Sequence, residues 1–423
     1  MGLRLGGRND NGFLGWVRNS NPCLTRPPSY LLTAPDYCDS ISVHYLNSLG
    51  LLYMQYTLHL TERCNFACDY CQSKQRDKDM SQETAFEAID LAISGETKNV
   101  GIGFYGGEPL LCKGLISDVV ESLVSKISGT DRKVFFKLTT NGSLLDDEFL
   151  DFAVRNRIFI SLSLDGNEKS HNTNRRDHSG NGTYHKATAT LSKLLSHNPF
   201  TPVMMTVAPN TAEFLNESVQ HIFSLGVRNL ICSLDYSAIW NQADLESLRK
   251  QYKKLADYYI DAMKEEKKVF FSPFESKINS HIKSREYCKE RCKLGYDQIS
   301  VGTDGSLYPC IQFVGDSAYQ IGHVNTGIDQ DRRREIFKQS RAEQKECENC
   351  AIKDRCLHTC ACINKYTTGN LTEPSPVLCA HERMLIPISD SIAAKLYKKR
   401  NGLFIHKHYN NLYPLISMVE DFM

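Results

Sequence analysis

Arg63-Cys64-Asn65-Phe66-Ala67-Cys68-Asp69-Tyr70-Cys71 follows directly on an apolar, strand-length stretch at residues 53–60. Its cysteines, spaced Cys-x3-Cys-x2-Cys, can hold three corners of a four-iron cluster. A closed zinc site or a fully ligated ferredoxin cluster needs a fourth protein ligand nearby. No Cys or His follows Cys71 at zinc-knuckle spacing, so one iron stays open to a chelating small molecule.

Outward from this run, six apolar stretches of strand length, 53–60, 100–104, 133–139, 158–164, 202–208 and 229–234, alternate with amphipathic stretches such as 82–94 and 244–264. The short runs are rich in Val, Ile, Phe and Leu on both faces, as buried parallel strands are, and the longer ones carry 3.6-residue periodicity. They predict an α/β fold, a parallel sheet curled into a partial (β/α)6 TIM-like barrel. Its reactive groups should gather at the strand C-termini, and its open side would admit a bulky substrate. Beyond residue 270 the texture changes to short strands, turns and dense cysteine. Thr303-Asp304-Gly305-Ser306 is a tight-turn signal between residues 298–301 and 306–310. The expected organisation is an irregular, proline-bearing cap (1–50), the barrel (51–270), a small cysteine-rich α+β domain (271–385), and a C-terminal part (386–423) with a helix at 388–399.

The 423 residues, 41% of them hydrophobic, suffice for a barrel and a second domain. A net charge of +1 with scattered Lys and Arg argues against nucleic acid as a partner, and no apolar run reaches the roughly 18 residues of a membrane span. The N-terminal stretch lacks the apolar segment of a secretory signal, so a cytoplasmic location is expected. In that reducing compartment the 16 cysteines read as metal ligands, not disulfides. Most fall into three groups, and only Cys23, Cys38, Cys112 and Cys232 stand apart without a role.

The triplet Cys64, Cys68 and Cys71, followed after the second strand by Tyr105-Gly106-Gly107-Glu108-Pro109, resembles the radical SAM superfamily. The resemblance implies that S-adenosylmethionine chelates the open iron, with Gly106 and Gly107 letting the backbone approach its amino group. Thr139-Thr140-Asn141-Gly142, Ser161-Leu162-Ser163-Leu164-Asp165-Gly166 and His171-Asn172-Thr173-Asn174-Arg175 match the same superfamily. It implies a cofactor site built from Tyr70, Gly106, Gly107, Glu108, Pro109, Asn141, Ser163, Asp165 and Arg175, with Ser163 near the ribose and Arg175 near the carboxylate. Asp235, at the end of the sixth strand, is a candidate base for the substrate, with loop capping as the competing reading.

Cys292-x12-Gly305-x4-Cys310, then Cys347-x2-Cys350-x5-Cys356-x3-Cys360 and finally Cys379, resembles the SPASM pattern, which implies two auxiliary four-iron clusters. One would be held by Cys292, Cys310, Cys360 and an upstream cysteine such as Cys288, the other by Cys347, Cys350, Cys356 and Cys379. A pair of zinc sites is the alternative. Cys288 sits unusually close to Cys292 in sequence and Cys362 is surplus, so the first set has an open question. An open iron on the Cys288 side could also take a substrate thiolate.

Three [4Fe-4S] clusters and S-adenosylmethionine are thus the implied cofactors. The implied activity is that of an oxidoreductase, reductive cleavage to a 5′-deoxyadenosyl radical that abstracts hydrogen from a ribosomally made precursor peptide and leads to a thioether or carbon–carbon crosslink. Anaerobic sulfatase maturation is the alternative. Such enzymes carry an aspartate directly after the cysteine corresponding to Cys310, where this chain has Ile311. A non-catalytic iron–sulfur electron carrier is a further alternative. The cap is shorter than the leader-binding module of similar enzymes, so a separate leader-binding protein, or a reduced contact surface on the cap and barrel, is expected. An external donor such as flavodoxin or ferredoxin would supply the electron.

Overall fold

Tyr56, Leu58 and Leu60 are buried on one face of the first strand, leaving Gln55, Thr57 and His59 on the other by the two-residue alternation of a pleated chain. The computed structural model describes residues 53–71, 75–282, 292–410, 413 and 417. The expected cap at 1–50 lies outside the described residues. Seven strands run parallel in chain order: β1 (Tyr53–Thr61), β2 (Asn99–Gly106), β3 (Lys133–Thr140), β4 (Ile158–Ser163), β5 (Pro202–Val207), β6 (Asn229–Leu234) and β7 (Phe270–Phe271). The helices among them are α1 (Gln82–Ser94), α2 (Lys113–Ile127), α3 (Asp147–Arg155), α4 (Glu168–Asn174), α5 (Tyr184–His197), α6 (Leu215–Ser224) and α7 (Gln242–Lys264). In α1, Ser81 accepts a hydrogen bond from the Thr84 N–H, and Ala85, Ala88, Ile89 and Ala92 form the buried stripe.

The six expected strands are all present. One element of the parallel set escaped the sequence reading, β7, two residues long; β8 (Gln298–Val301), the short strand expected before the 303–306 turn, is present and pairs parallel to β1 on its other side. A run as short as β7 carries little periodicity. The antiparallel strands β9 (Ser306–Tyr308), β10 (Gly322–His323) and β11 (Gly327–Ile328) complete a sheet in the order β11-β10-β9-β8-β1-β2-β3-β4-β5-β6-β7. Because the sheet ends on β7 and β11, the barrel is partial. The expected 303–306 turn joins β8 to β9, with Gly305 at φ +85°.

Helices α8 (Ser272–Ile282), α9 (Gln330–Ser340), α10 (Ala361–Thr368), α11 (Pro376–Lys398) and α12 (Gly402–Tyr409) follow the barrel and intersperse the later strands. The helix expected at 388–399 therefore begins at Pro376, capped by Ser375, and the division drawn at residue 385 falls inside it. Pro387 sits within the helix and masks this continuity in the sequence. No helix among the described residues is long and apolar enough to cross a membrane.

Helix α11 packs on α7 and α8, and a buried ion pair joins it to α8. Lys277 Nζ donates to both carboxylate oxygens of Glu382 at 2.6 Å, with each side chain 2% exposed. Removing one partner strands a buried charge. Lys277→Ala is expected to cost about 3–5 kcal/mol, while Lys277→Met with Glu382→Leu recovers most of it; thermal melting of the two variants checks this.

Candidate active site

The cysteine loop is held from several sides. At its start the Thr61 hydroxyl and the Arg63 guanidinium both donate to Asp79. Across the loop, the Ala67 N–H donates to the Arg176 carbonyl at 2.8 Å and the Asp69 N–H to the Asn174 carbonyl at 2.9 Å. Arg176 pairs with Asp69 at 2.6 Å, and the His178 Nε2 lies 2.8 Å from the Cys64 carbonyl. The segment after α4 thus clamps the loop. Cys64 and Cys68 are half-buried and Cys71 is exposed. Burial pushes the Cys64 thiol up to about 11 and that of Cys68 up to about 12, so metal binding must displace protons.

Gly106 and Gly107 serve this loop directly. A Cβ on Gly106 would stand 2.4 Å from the Thr61 carbonyl oxygen, and one on Gly107 would stand 2.0 Å from that of Arg63. The backbone N–H groups of Gly107 and Glu108 donate to those same carbonyls at 2.8 and 2.9 Å. The close approach these glycines allow is therefore one of the chain to itself. Glu108 is buried and accepts from the Thr140 hydroxyl at 2.6 Å, the Asn141 N–H at 2.8 Å and the Leu110 N–H at 3.1 Å, tying the ends of β2 and β3 together. Burial raises its carboxyl above the ordinary value. Pro109 opens a single 3-10 turn, Pro109–Cys112, capped by Glu108. The Asn141 amide donates to Asn65 at 2.9 Å, so this side chain also reaches the cysteine loop.

Asp165 is the electrostatic hinge. One of its oxygens accepts from the Thr206 N–H at 2.9 Å, and the other from Arg175 Nε at 2.8 Å and from the Tyr70 hydroxyl. Burial opposes the Arg175 charge, but Asp165, Tyr70 and Cys68 more than offset this and keep it protonated. Its terminal nitrogens form no hydrogen bond among the described residues, and its charge acts on Cys64, Cys68 and Glu108. Ser163, at the end of β4, is half-buried and its hydroxyl makes no hydrogen bond among the described residues. His171 supports Asp165 by accepting from its N–H at 3.3 Å, with burial pushing the imidazole down to about 4.

Asp235 ends β6 and turns into its own loop: Oδ1 accepts from the Ser237 N–H at 3.0 Å and from the Ser237 hydroxyl. One oxygen thus caps a turn. His59 was missed by the sequence reading. Its ring lies 5.2 Å from that of Tyr105, its Nε2 has no partner among the described residues, and burial pushes it down to about 4. The alternation of β1, which sets residue 59 opposite Leu58 and Leu60, was the available signal.

Four C-terminal cysteines, Cys347, Cys350, Cys356 and Cys379, line one hollow. Arg383 Nε stands 3.4 Å from the Cys379 sulfur and its Nη2 3.6 Å from that of Cys350. Among the described residues, no three His, Cys, Asp or Glu side chains converge closely enough to hold a single metal ion. Four soft ligands around a hollow, beside a guanidinium, suit a larger anionic cluster. Cys292 feels the charges of Cys360 and Cys310, and Cys360 is pulled down to about 7, chiefly by the Cys362 thiol. Cys288 lies outside the described residues.

Residues 58–222 match the model of the Radical SAM superfamily. The chain carries a radical SAM domain, the mark of a superfamily of enzymes that use a [4Fe-4S] cluster and S-adenosylmethionine. It is similar to the cysteine-type anaerobic sulfatase-maturating enzyme of Clostridium perfringens (strain 13 / Type A), at 22% identity over 317 residues, 70% of this chain and 85% of that protein. Among solved structures, native anSMEcpe with bound AdoMet and Cp18Cys peptide has a TM-score of 0.71 at 19% identity, covering 82% of this chain and 99% of that one. Streptococcus suis SuiB bound to precursor peptide SuiA has a TM-score of 0.56 at 15% identity, covering 80% and 79%. At these identities the solved structures establish the shared fold.

Gly107→Ala should displace the cysteine loop and lower 5′-deoxyadenosine release by about 10²-fold, the effect of a roughly 1 Å misplacement. Gly95→Ala, where nothing lies within 4 Å of the added carbon, should leave release unchanged in the same assay.

Proposed function

We propose that this chain is a radical SAM peptide maturase acting on a ribosomally made precursor, with three [4Fe-4S] clusters, one at the barrel mouth and two auxiliary. The single observation that favours this reading over sulfatase maturation is Ile311. It directly follows Cys310, opens the 3-10 turn Ile311–Phe313 and packs against the core, where the similar sulfatase-maturing enzymes carry an aspartate base. The bound peptides of the anSMEcpe and SuiB structures support a peptide substrate for either reading. Sulfatase maturation remains the second reading, supported by the Clostridium perfringens relative; its base would come from elsewhere, with Asp235 the candidate.

In this reading Cys64, Cys68 and Cys71 hold the first cluster. Arg175, fixed by Asp165 and Tyr70, offers its free nitrogens to the carboxylate of S-adenosylmethionine, a charge-assisted contact set before the ligand arrives. Ser163 offers its unengaged hydroxyl to the ribose. Gly106, Gly107, Glu108, Pro109 and Asn141 position the loop. Cys347, Cys350, Cys356 and Cys379 hold one auxiliary cluster; Cys292, Cys310 and Cys360 contribute to the other. When bound, these groups supply a 5′-deoxyadenosyl radical for hydrogen abstraction and an acceptor for the electron the substrate radical must lose. The protein's own task is to hold one C–H bond of the peptide at the barrel mouth and exclude competing hydrogen donors. A separate leader-binding protein and a flavodoxin or ferredoxin donor complete the proposed system.

Anaerobically reconstituted protein should hold about 12 iron per chain, falling to about 8 in the Cys64, Cys68 and Cys71 triple alanine variant, with negligible zinc. With dithionite and S-adenosylmethionine it should release 5′-deoxyadenosine, and Cys68→Ala should abolish that release while retaining auxiliary iron. A short precursor peptide encoded beside this chain should lose two hydrogens by mass. Conversion of a sulfatase peptide to formylglycine instead would select the second reading, and absence of any 5′-deoxyadenosine would leave an electron carrier.

A further inference from the structure

Cys362 is surplus to the cysteine spacing, yet the fold places it among the cysteines of the first auxiliary set. Its buried thiol donates to the Cys310 sulfur at 3.1 Å, and Cys360 precedes it by two residues at the start of α10. Cys292 lies within the field of both Cys310 and Cys360. The local backbone accounts for the grouping. Cys360 is the N-cap of α10 at φ −73° and ψ 91°, outside helical geometry, and Cys362 lies in the first turn. Two cysteines two residues apart would diverge on a regular helix; Cys360, outside helical geometry, is released from that constraint. Cys232 is a useful contrast, since it is equally buried but makes no thiol contact among the described residues.

We propose that Cys362 is the fourth protein ligand of the first auxiliary cluster, with Cys292, Cys310 and Cys360. The proposal rests on the reading above that two auxiliary clusters are bound. A buried thiol bonded to the sulfur of Cys310 belongs with that soft ligand set, whereas a cysteine used only for packing needs no such neighbour. Full ligation by the chain leaves that cluster no open iron for a substrate thiolate, so the peptide is engaged at the barrel mouth without being bound to it.

The test uses the full chain, reconstituted anaerobically as wild type, Cys362→Ala, Cys362→Ser and Cys288→Ala, read by iron content and by electron paramagnetic resonance of the reduced protein. Wild type and Cys288→Ala should hold about 12 iron with identical spectra, and Cys362→Ala about 8, losing one auxiliary signal while the triplet cluster still responds to S-adenosylmethionine. That response also reports that the barrel has folded. Cys362→Ser, which keeps a ligand of different softness, should shift the same signal. The proposal is overturned if Cys288→Ala loses that signal, or if Cys362→Ser leaves it unchanged. Wild-type protein holding only about 4 iron would instead refute the two-cluster reading itself, an outcome visible before any variant is compared.

Discussion

The active site depends on a contact between two pieces of backbone. The chain leaving β1 lies so tightly against the end of β2 that neither Gly106 nor Gly107 has room for a side chain, and the amides of Gly107 and Glu108 bond the carbonyls of Thr61 and Arg63. Everything else at the mouth takes its position from that contact. Asn141 reaches Asn65 from β3, the 174–178 segment pairs with the loop from beyond α4, and Thr303 donates to Glu62 at 2.9 Å from the β8–β9 turn. A short loop carrying three cysteines has little reason to hold one shape alone. Here it is fastened by groups from five separate parts of the chain, Asp79 among them.

Two buried carboxylates beside the loop illustrate different solutions to desolvation. Glu108 is surrounded by neutral donors, which offset only part of the burial penalty and leave its carboxyl raised. Asp165 faces a guanidinium, and the pair keeps Arg175 charged within the protein. Asp165 engages only Nε, and the terminal nitrogens make no hydrogen bond among the described residues, as the proposed carboxylate contact requires. The site is organised electrostatically in advance, so ligand binding need not pay to reorient it.

The C-terminal part follows another logic. Its strands are two to four residues long, and its cysteines come from distant points of the chain. Ligands that close long loops around a cluster can hold such a region where apolar area is scarce. The buried Lys277–Glu382 pair and the Arg355–Asp390 pair join α11 to α8 and to the cysteine-bearing turn near Cys356. These contacts seat the hollow lined by Cys347, Cys350, Cys356 and Cys379 on a firm helical base.

Much of this was legible in the sequence. The six strands, the α1 span, the β8–β9 turn and the cysteine triplet are properties of near neighbours: alternation, capping, a glycine at positive φ, ligands within one short loop. The two-residue strand β7 left no such trace, and the continuity of α11 was hidden by Pro387. Nor could spacing show that the paired glycines accommodate the chain's own carbonyls, that Asp235 caps its own loop, or that Cys362 meets Cys310 across 52 residues of sequence. The sequence by itself determined which segments become strands and helices and which residue types could ligate metal, because those depend on local sterics and periodicity. Only the tertiary structure decided which ligands and charges meet, because their partners are far apart along the chain and are brought together by packing of the sheet and helices.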